Sequence, residues 1–177
     1  MHTRKLSHLV FIFCCCLVGW SGLSFAEGER DNDNRNPKGC LDTGYRFELH
    51  TLHLLPAESG PQQSMYFMFN QSSQAVNVYQ MRESDGRTLY MNHSIASQKW
   101  AVFSTGEKDL KFICSVDSPK MPFGRVVDCG ESLRICEYVN VKYGMNNRGN
   151  FWLANSYSRN AAIMAVIHYG IIPDWGV

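Results

Sequence analysis

The chain has 177 residues, with 17 basic and 16 acidic side chains, a formal charge of +1 and 45% hydrophobic residues. A near-neutral protein has no long-range field to gather nucleic acid or an anionic membrane surface, so neither is expected as a partner. The length and apolar content suit one domain with its own core and exclude a disordered or fibrous chain.

Residues 1–26 read as a signal peptide: Arg4 and Lys5 precede an apolar run, Leu9 to Leu17, and Ser24-Phe25-Ala26 places small residues three and one before a cut ahead of Glu27. A retained anchor is the competing reading. It is disfavoured because Gly19, Ser21 and Gly22 break a run already shorter than the roughly 20 residues that span a bilayer. Cys14, Cys15 and Cys16 do not follow a lipid-attachment pattern. Removing 26 of 177 residues leaves 151, with 15 basic and 16 acidic side chains, for a charge of about −1 with neutral histidines. The expected location is exported, in a periplasm or outside the cell.

The mature chain keeps Cys40, Cys114, Cys129 and Cys136. Four cysteines in an exported chain read as two disulfides with three pairings open. Zinc is disfavoured because no two of them form a Cys-x-x-Cys knuckle.

Residues 27–39 are polar and rich in Asn and Asp, which predicts a mobile leader, and the single β-rich domain is expected over 40–177. From Tyr45 to Leu55, apolar and polar residues alternate with the period of a half-buried strand. Met65 to Phe69 is apolar at every position, as in a strand covered on both faces. Strands follow over Ala75 to Met81 and Thr88 to Met91, joined by the hairpin signal Asp85-Gly86, then over Ser97 to Phe103 and Leu110 to Val116. Pro119 and Pro122 interrupt the chain before a strand from Gly124 to Asp128. Leu133 to Tyr143 alternates again, with Leu133, Ile135, Val139, Val141 and Tyr143 on one face and Glu137 surprising among them. Phe151, Leu153 and Tyr157 are expected to return on a strand paired with it across a turn at Gly144 to Gly149.

Ser158 is placed to cap a helix over Arg159 to Tyr169, with Ala162, Ile163, Val166 and Ile167 at helical spacing and Gly170 at a left-handed exit. About 11 residues cannot span a membrane. The fold class is mainly β: an antiparallel β-sandwich, or alternatively a small β-barrel, with one C-terminal α-helix and disulfide links. The hairpin across Pro119 to Gly124 favours Cys114 with Cys129, leaving Cys40 for Cys136; Cys129 with Cys136 is the rival pairing.

Catalysis has no motif behind it: there is no Gly-x-Ser-x-Gly elbow, His-Glu-x-x-His, phosphate loop or dinucleotide fingerprint, and an enzyme of unrecognised type is the alternative class. Glu137 enters only as a carboxylate among apolar neighbours, a setting that shifts pKa values. His50 and His53, three apart on a strand, fall on opposite faces and make a poor metal pair. A copper carrier is a further alternative, with Met91 and His93, two apart on one strand face, as its best ligands. The competing reading is that methionines such as Met65 and Met68 fill gaps in the core.

The binding reading rests on one hairpin. Tyr138, Tyr143, Asn146, Asn147, Arg148, Asn150, Trp152 and Tyr157 would stand on or near its exposed side, and Tyr, Trp and Arg dominate interfaces. The rival is that the aromatics are cross-strand pairs and the Asn and Gly residues build the turn. The segment ICEYVNVKYGMNNRGNFW, followed by RNAAI and HYGIIP, resembles the end of small exported proteins of the enhanced-entry B type, found in bacteria that enter host cells. That resemblance covers roughly the last 45 residues and implies an envelope protein linked to host-cell entry, with no catalytic residues to carry over. The expected partner is an envelope or host protein or glycan. Control of a cell-wall lytic enzyme is one concrete form, by analogy with other small disulfide-bonded periplasmic β proteins.

Overall fold

The computed structural model describes residues 34–55, 63–81, 89–107, 109–143 and 151–172. The expected signal peptide, residues 1–26, lies outside them, as do the Asp85-Gly86 turn, residues 144–150 and Trp175.

Two antiparallel sheets pack face to face. β1 (Tyr45–Glu48), β2 (Thr51–Leu54), β7 (Leu110–Ser118), β4 (Val76–Met81) and β5 (Leu89–Ile95) follow one another across a six-stranded sheet, and β8 (Met121–Val127) pairs with β7 beyond the end of β2. The five-stranded sheet has the order β10 (Phe151–Ser156), β6 (Trp100–Thr105), β3 (Gln63–Asn70), β9 (Leu133–Tyr143), β11 (Ile171–Ile172). The expected sandwich is therefore the architecture.

The core between the sheets takes Leu52, Leu54, Val76, Val78, Phe112 and Cys114 from one sheet and Tyr66, Met68, Phe103, Leu133 and Ile135 from the other. A second core lies on the far face of the five-stranded sheet, where Met65, Phe67, Phe69, Trp100, Cys136 and Tyr138 meet Ala162 and Val166 of helix α2 (Arg159–His168). That is why the run from Met65 to Phe69 has no polar residue: β3 is central and covered on both sides. Ser158 caps α2, its side chain accepting from the Ala161 N–H at 3.1 Å, and Gly170 leaves at φ +74°.

Cys40 is joined to Cys136, and Cys114 to Cys129, the pairing that the β7–β8 hairpin favoured. Cys129 opens a one-turn helix, α1 (Cys129–Ser132), that sequence reading missed. Asp128 caps it, accepting from the N–H groups of Gly130 (2.7 Å) and Glu131 (3.3 Å).

Four expectations are corrected. The single strand over Tyr45 to Leu55 is a hairpin turning at Leu49, whose φ is +51°, with the Thr51 hydroxyl donating to the Glu48 carbonyl at 2.7 Å; no Gly, Asn or Pro marks the turn. The leader does not run to residue 39, because Pro37 is buried and the Lys38 carbonyl accepts the Tyr138 hydroxyl. The alternation of β9 is broken by a bulge between Tyr138 and Val141, so Val141 joins the core of Cys136 and Tyr138 and not that of Ile135. Finally, β9 and β10 do not pair: β3 and β6 lie between them, and β10 adds to β6 at the opposite edge.

Candidate functional site

The separation of β9 from β10 dissolves the expected binding hairpin. Asn146, Asn147, Arg148 and Asn150 lie outside the described residues. Tyr138 is buried under the N-terminal segment and not exposed; burial pushes its phenol well above the ordinary range, with Arg159 opposing. Trp152 is half-buried and points between the sheets, stacked on Phe103 with ring centroids 4.4 Å apart. Its alternating position was legible, but which face was inside depended on the partner strand, and that strand is β6. Of the aromatics, Tyr157 keeps its expected place: it is 79% exposed, with the Lys99 ammonium 3.7 Å from its ring centroid.

The copper pair also comes apart. A bulge in β5 sets His93 opposite Val78 and Met91 opposite Tyr79, residues adjacent on β4 and so on opposite faces of the sheet. The register therefore does not supply the shared strand face on which the pair rested. Among the described residues no three His, Cys, Asp or Glu side chains converge as a metal site would require.

Two polar clusters that sequence reading did not assemble are closed. His53 is buried; its Nε2 meets Asp109, and its Nδ1 accepts from Arg46 Nε at 3.2 Å, a donor shared with Glu48 at 2.6 Å. Both ring nitrogens are used, so the nitrogen that a general base would present is already occupied. Glu137 is 1% exposed on the inner face of β9; Leu41 exchanges both backbone hydrogen bonds with it, and Thr43 Oγ1 donates to Oε2 at 3.4 Å. Gly44 suits this place by its φ of +73°, and a Cβ there would also lie 1.8 Å from Oε2 and push the carboxylate aside. Beside it, burial and then the charge of Glu137 hold the Tyr66 phenol far up, and its hydroxyl donates to the Gly44 carbonyl at 3.0 Å. This carboxylate, neither at a strand end nor displayed, fastens the start of the fold to β9.

The surface with unspent chemistry is on β8. Met121, Phe123 and Val126 are 53%, 59% and 49% exposed on one strand at the margin of the six-stranded sheet. Phe123 sets its ring edge-on to Tyr79 (6.2 Å), which pairs with Ile113 on the face away from the five-stranded sheet; Val126, opposite Ser115, shares that face, while Met121, opposite Ser118, stands at the register of Val116 and Cys114. Gly124 makes this geometry: at φ +74° its missing Cβ would be 2.3 Å from the Val116 carbonyl oxygen, and Ser115 Oγ donates to the Phe123 carbonyl at 2.8 Å. Sequence reading took Pro119 to Gly124 as a turn and began the strand at Gly124, so its first part, Met121 to Phe123, was missed; the available signal was the apolar Met121 and Phe123. No family model matches the chain, and neither a curated protein nor a solved structure does.

Proposed function

We propose that this is an exported envelope protein that acts by binding a protein partner through the outer face of its six-stranded sheet. The observation that carries this reading is the exposure of Phe123, beside Tyr79, and of Val126 on a face where the described residues place no helix, with Met121 exposed on the same strand. Contiguous exposed apolar side chains rimmed by polar ones mark interaction surfaces. Lys120 and Arg125 supply the rim here. Aliphatic and thioether side chains suit an apolar protein surface better than a glycan. The two disulfides fit an oxidising compartment, periplasmic or extracellular, and the resemblance of the C-terminal segment to enhanced-entry B type proteins points to host-cell entry as the setting.

The test is affinity capture from envelope and host-membrane extracts by the disulfide-intact protein, in parallel with a Phe123→Ser, Val126→Thr variant whose near-ultraviolet circular dichroism is native. The partner should be lost with that variant and retained by Tyr157→Ala. A partner held equally well by the double variant would remove β8 as the site.

A further inference from the structure

Where β5 and β10 approach each other, the Asn155 amide joins the two sheets: Nδ2 donates to the Ser94 carbonyl at 2.9 Å, and Oδ1 accepts the Ala96 N–H at 3.1 Å. Just inside this joint, the His93 ring lies nearly parallel on Trp152, 15° between planes and 5.1 Å between centroids. Trp152 lies in turn on Phe103, with Phe112 edge-on at 6.3 Å. The buried Nε2 of His93 has no hydrogen-bond partner among the described residues. A neutral imidazole tolerates this setting; an imidazolium would bring a charge and an unmet N–H into it.

We propose that the β5–β10 seam is an acid-labile joint, in which protonation of His93 breaks its stack on Trp152 and lets the two sheets part along that edge. Among the described residues, Trp152 of β10 lies on the His93 ring and Val78 is its partner across on β4, with Phe103 of β6 and Phe112 of β7 packed on Trp152 in turn. None of them titrates or carries charge, and Ser94, its described neighbour on β5, does not either. The indole face attracts a cation, but the ring gives up its hydration to an apolar wall, and burial wins: it holds the His93 pKa below the ordinary histidine value. Opened to water, His93 titrates near about 6.5. The closed seam is therefore fully stable above that pH. It weakens as pH falls from the open-state value toward the lower closed-state one, by up to about tenfold in the closing equilibrium per pH unit for one proton.

The experiment is amide hydrogen exchange on the disulfide-intact protein between pH 7.5 and 5, corrected for intrinsic exchange, following the Ala96 amide and the β10 ladder against the β3–β6 ladder. Protection at the seam should fall by up to about tenfold per pH unit below about 6.5 while the β3–β6 ladder holds. In His93→Phe, which keeps a flat ring on Trp152, that fall should vanish. Seam protection that does not change with pH, or that falls equally in His93→Phe, overturns the proposal. Should that variant not fold, the ring resonances of His93 in the unaltered protein decide: a midpoint below about 6.5 supports the joint, and one at or above it removes it.

Discussion

The two sheets are built to the same antiparallel plan but covered differently. The five-stranded sheet is buried on both faces, by its partner sheet and by α2 with the segment around Cys40. The described residues cover the six-stranded sheet on one, and its other face carries Phe123 beside Tyr79, and Val126 opposite Ser115. A strand pays for double burial in sequence freedom, as Met65 to Phe69 shows. Single burial leaves one face of each strand available, and on β8 Phe123 and Val126 stand exposed there without a core to explain them. Function is therefore sought on the sheet that stability constrains less.

The largest way to break that comparison is through the covalent links. The Cys40–Cys136 bond fastens the start of the fold to the doubly buried sheet over a separation of 96 residues, and Cys114–Cys129 closes 15 on the other sheet. Loop-closure entropy then assigns about 4.7 kcal/mol to the first and about 3 kcal/mol to the second. Replacing each pair by alanines and comparing urea midpoints should give that order. Equal losses would show that the long link adds nothing beyond the packing of Pro37 and Tyr138.

Next comes the doubly buried core itself. Phe67 is fully buried on the α2 side of β3, edge-on to Tyr138 at 5.6 Å, and Phe67→Ala is expected to cost about 3 to 5 kcal/mol by denaturant unfolding. A loss below about 1 kcal/mol would mean that α2 and its sheet collapse onto the gap, contrary to a rigidly packed face.

A smaller effect tests how the sheets are tied to each other. Asn70 ends β3 and is fully buried; its Nδ2 donates to the carbonyls of Gln74 (2.7 Å) and Ile95 (2.8 Å), and its Oδ1 accepts from the N–H (2.9 Å) and hydroxyl (2.7 Å) of Ser72. Asn70→Ala strands these partners and should cost about 2 to 3 kcal/mol, and Asn70→Asp, which sets a carboxylate oxygen against the Gln74 and Ile95 carbonyls, at least as much.

Asn70 also shows what the sequence could and could not say. Local chemistry was legible: the period of the strands, the Ser158 cap and the Gly170 exit each depend on a few neighbouring residues. So was the disulfide pairing, because β7 and β8 are joined by a tight turn. What depends on a distant partner was not legible. By its neighbours alone, Gln71, Ser72 and Ser73, Asn70 reads as turn chemistry; Ile95, which its amide reaches, is 25 residues away. Trp152 looked displayed because β10 was paired with the strand before it in sequence, and the chain crosses to β6 instead. Bulges at β9 and β5 reversed the faces of Val141 and of Met91 relative to His93, and one extra residue in a ladder leaves no mark in hydrophobic periodicity.

The smallest expected effect is the most informative about function. Phe123 is more than half exposed and touches Tyr79 by one edge, so Phe123→Ser forfeits an aromatic contact worth about 0.5 to 1.5 kcal/mol and little buried area. Its urea midpoint should hardly move, and it should move independently of protein concentration. A loss above about 2 kcal/mol would belong to a covered core side chain and not to an open face. If that loss grew with concentration, the cover would be a second copy of the chain. A small, concentration-independent change, together with loss of capture, is the result that assigns β8 to binding and leaves the five-stranded sheet as the scaffold.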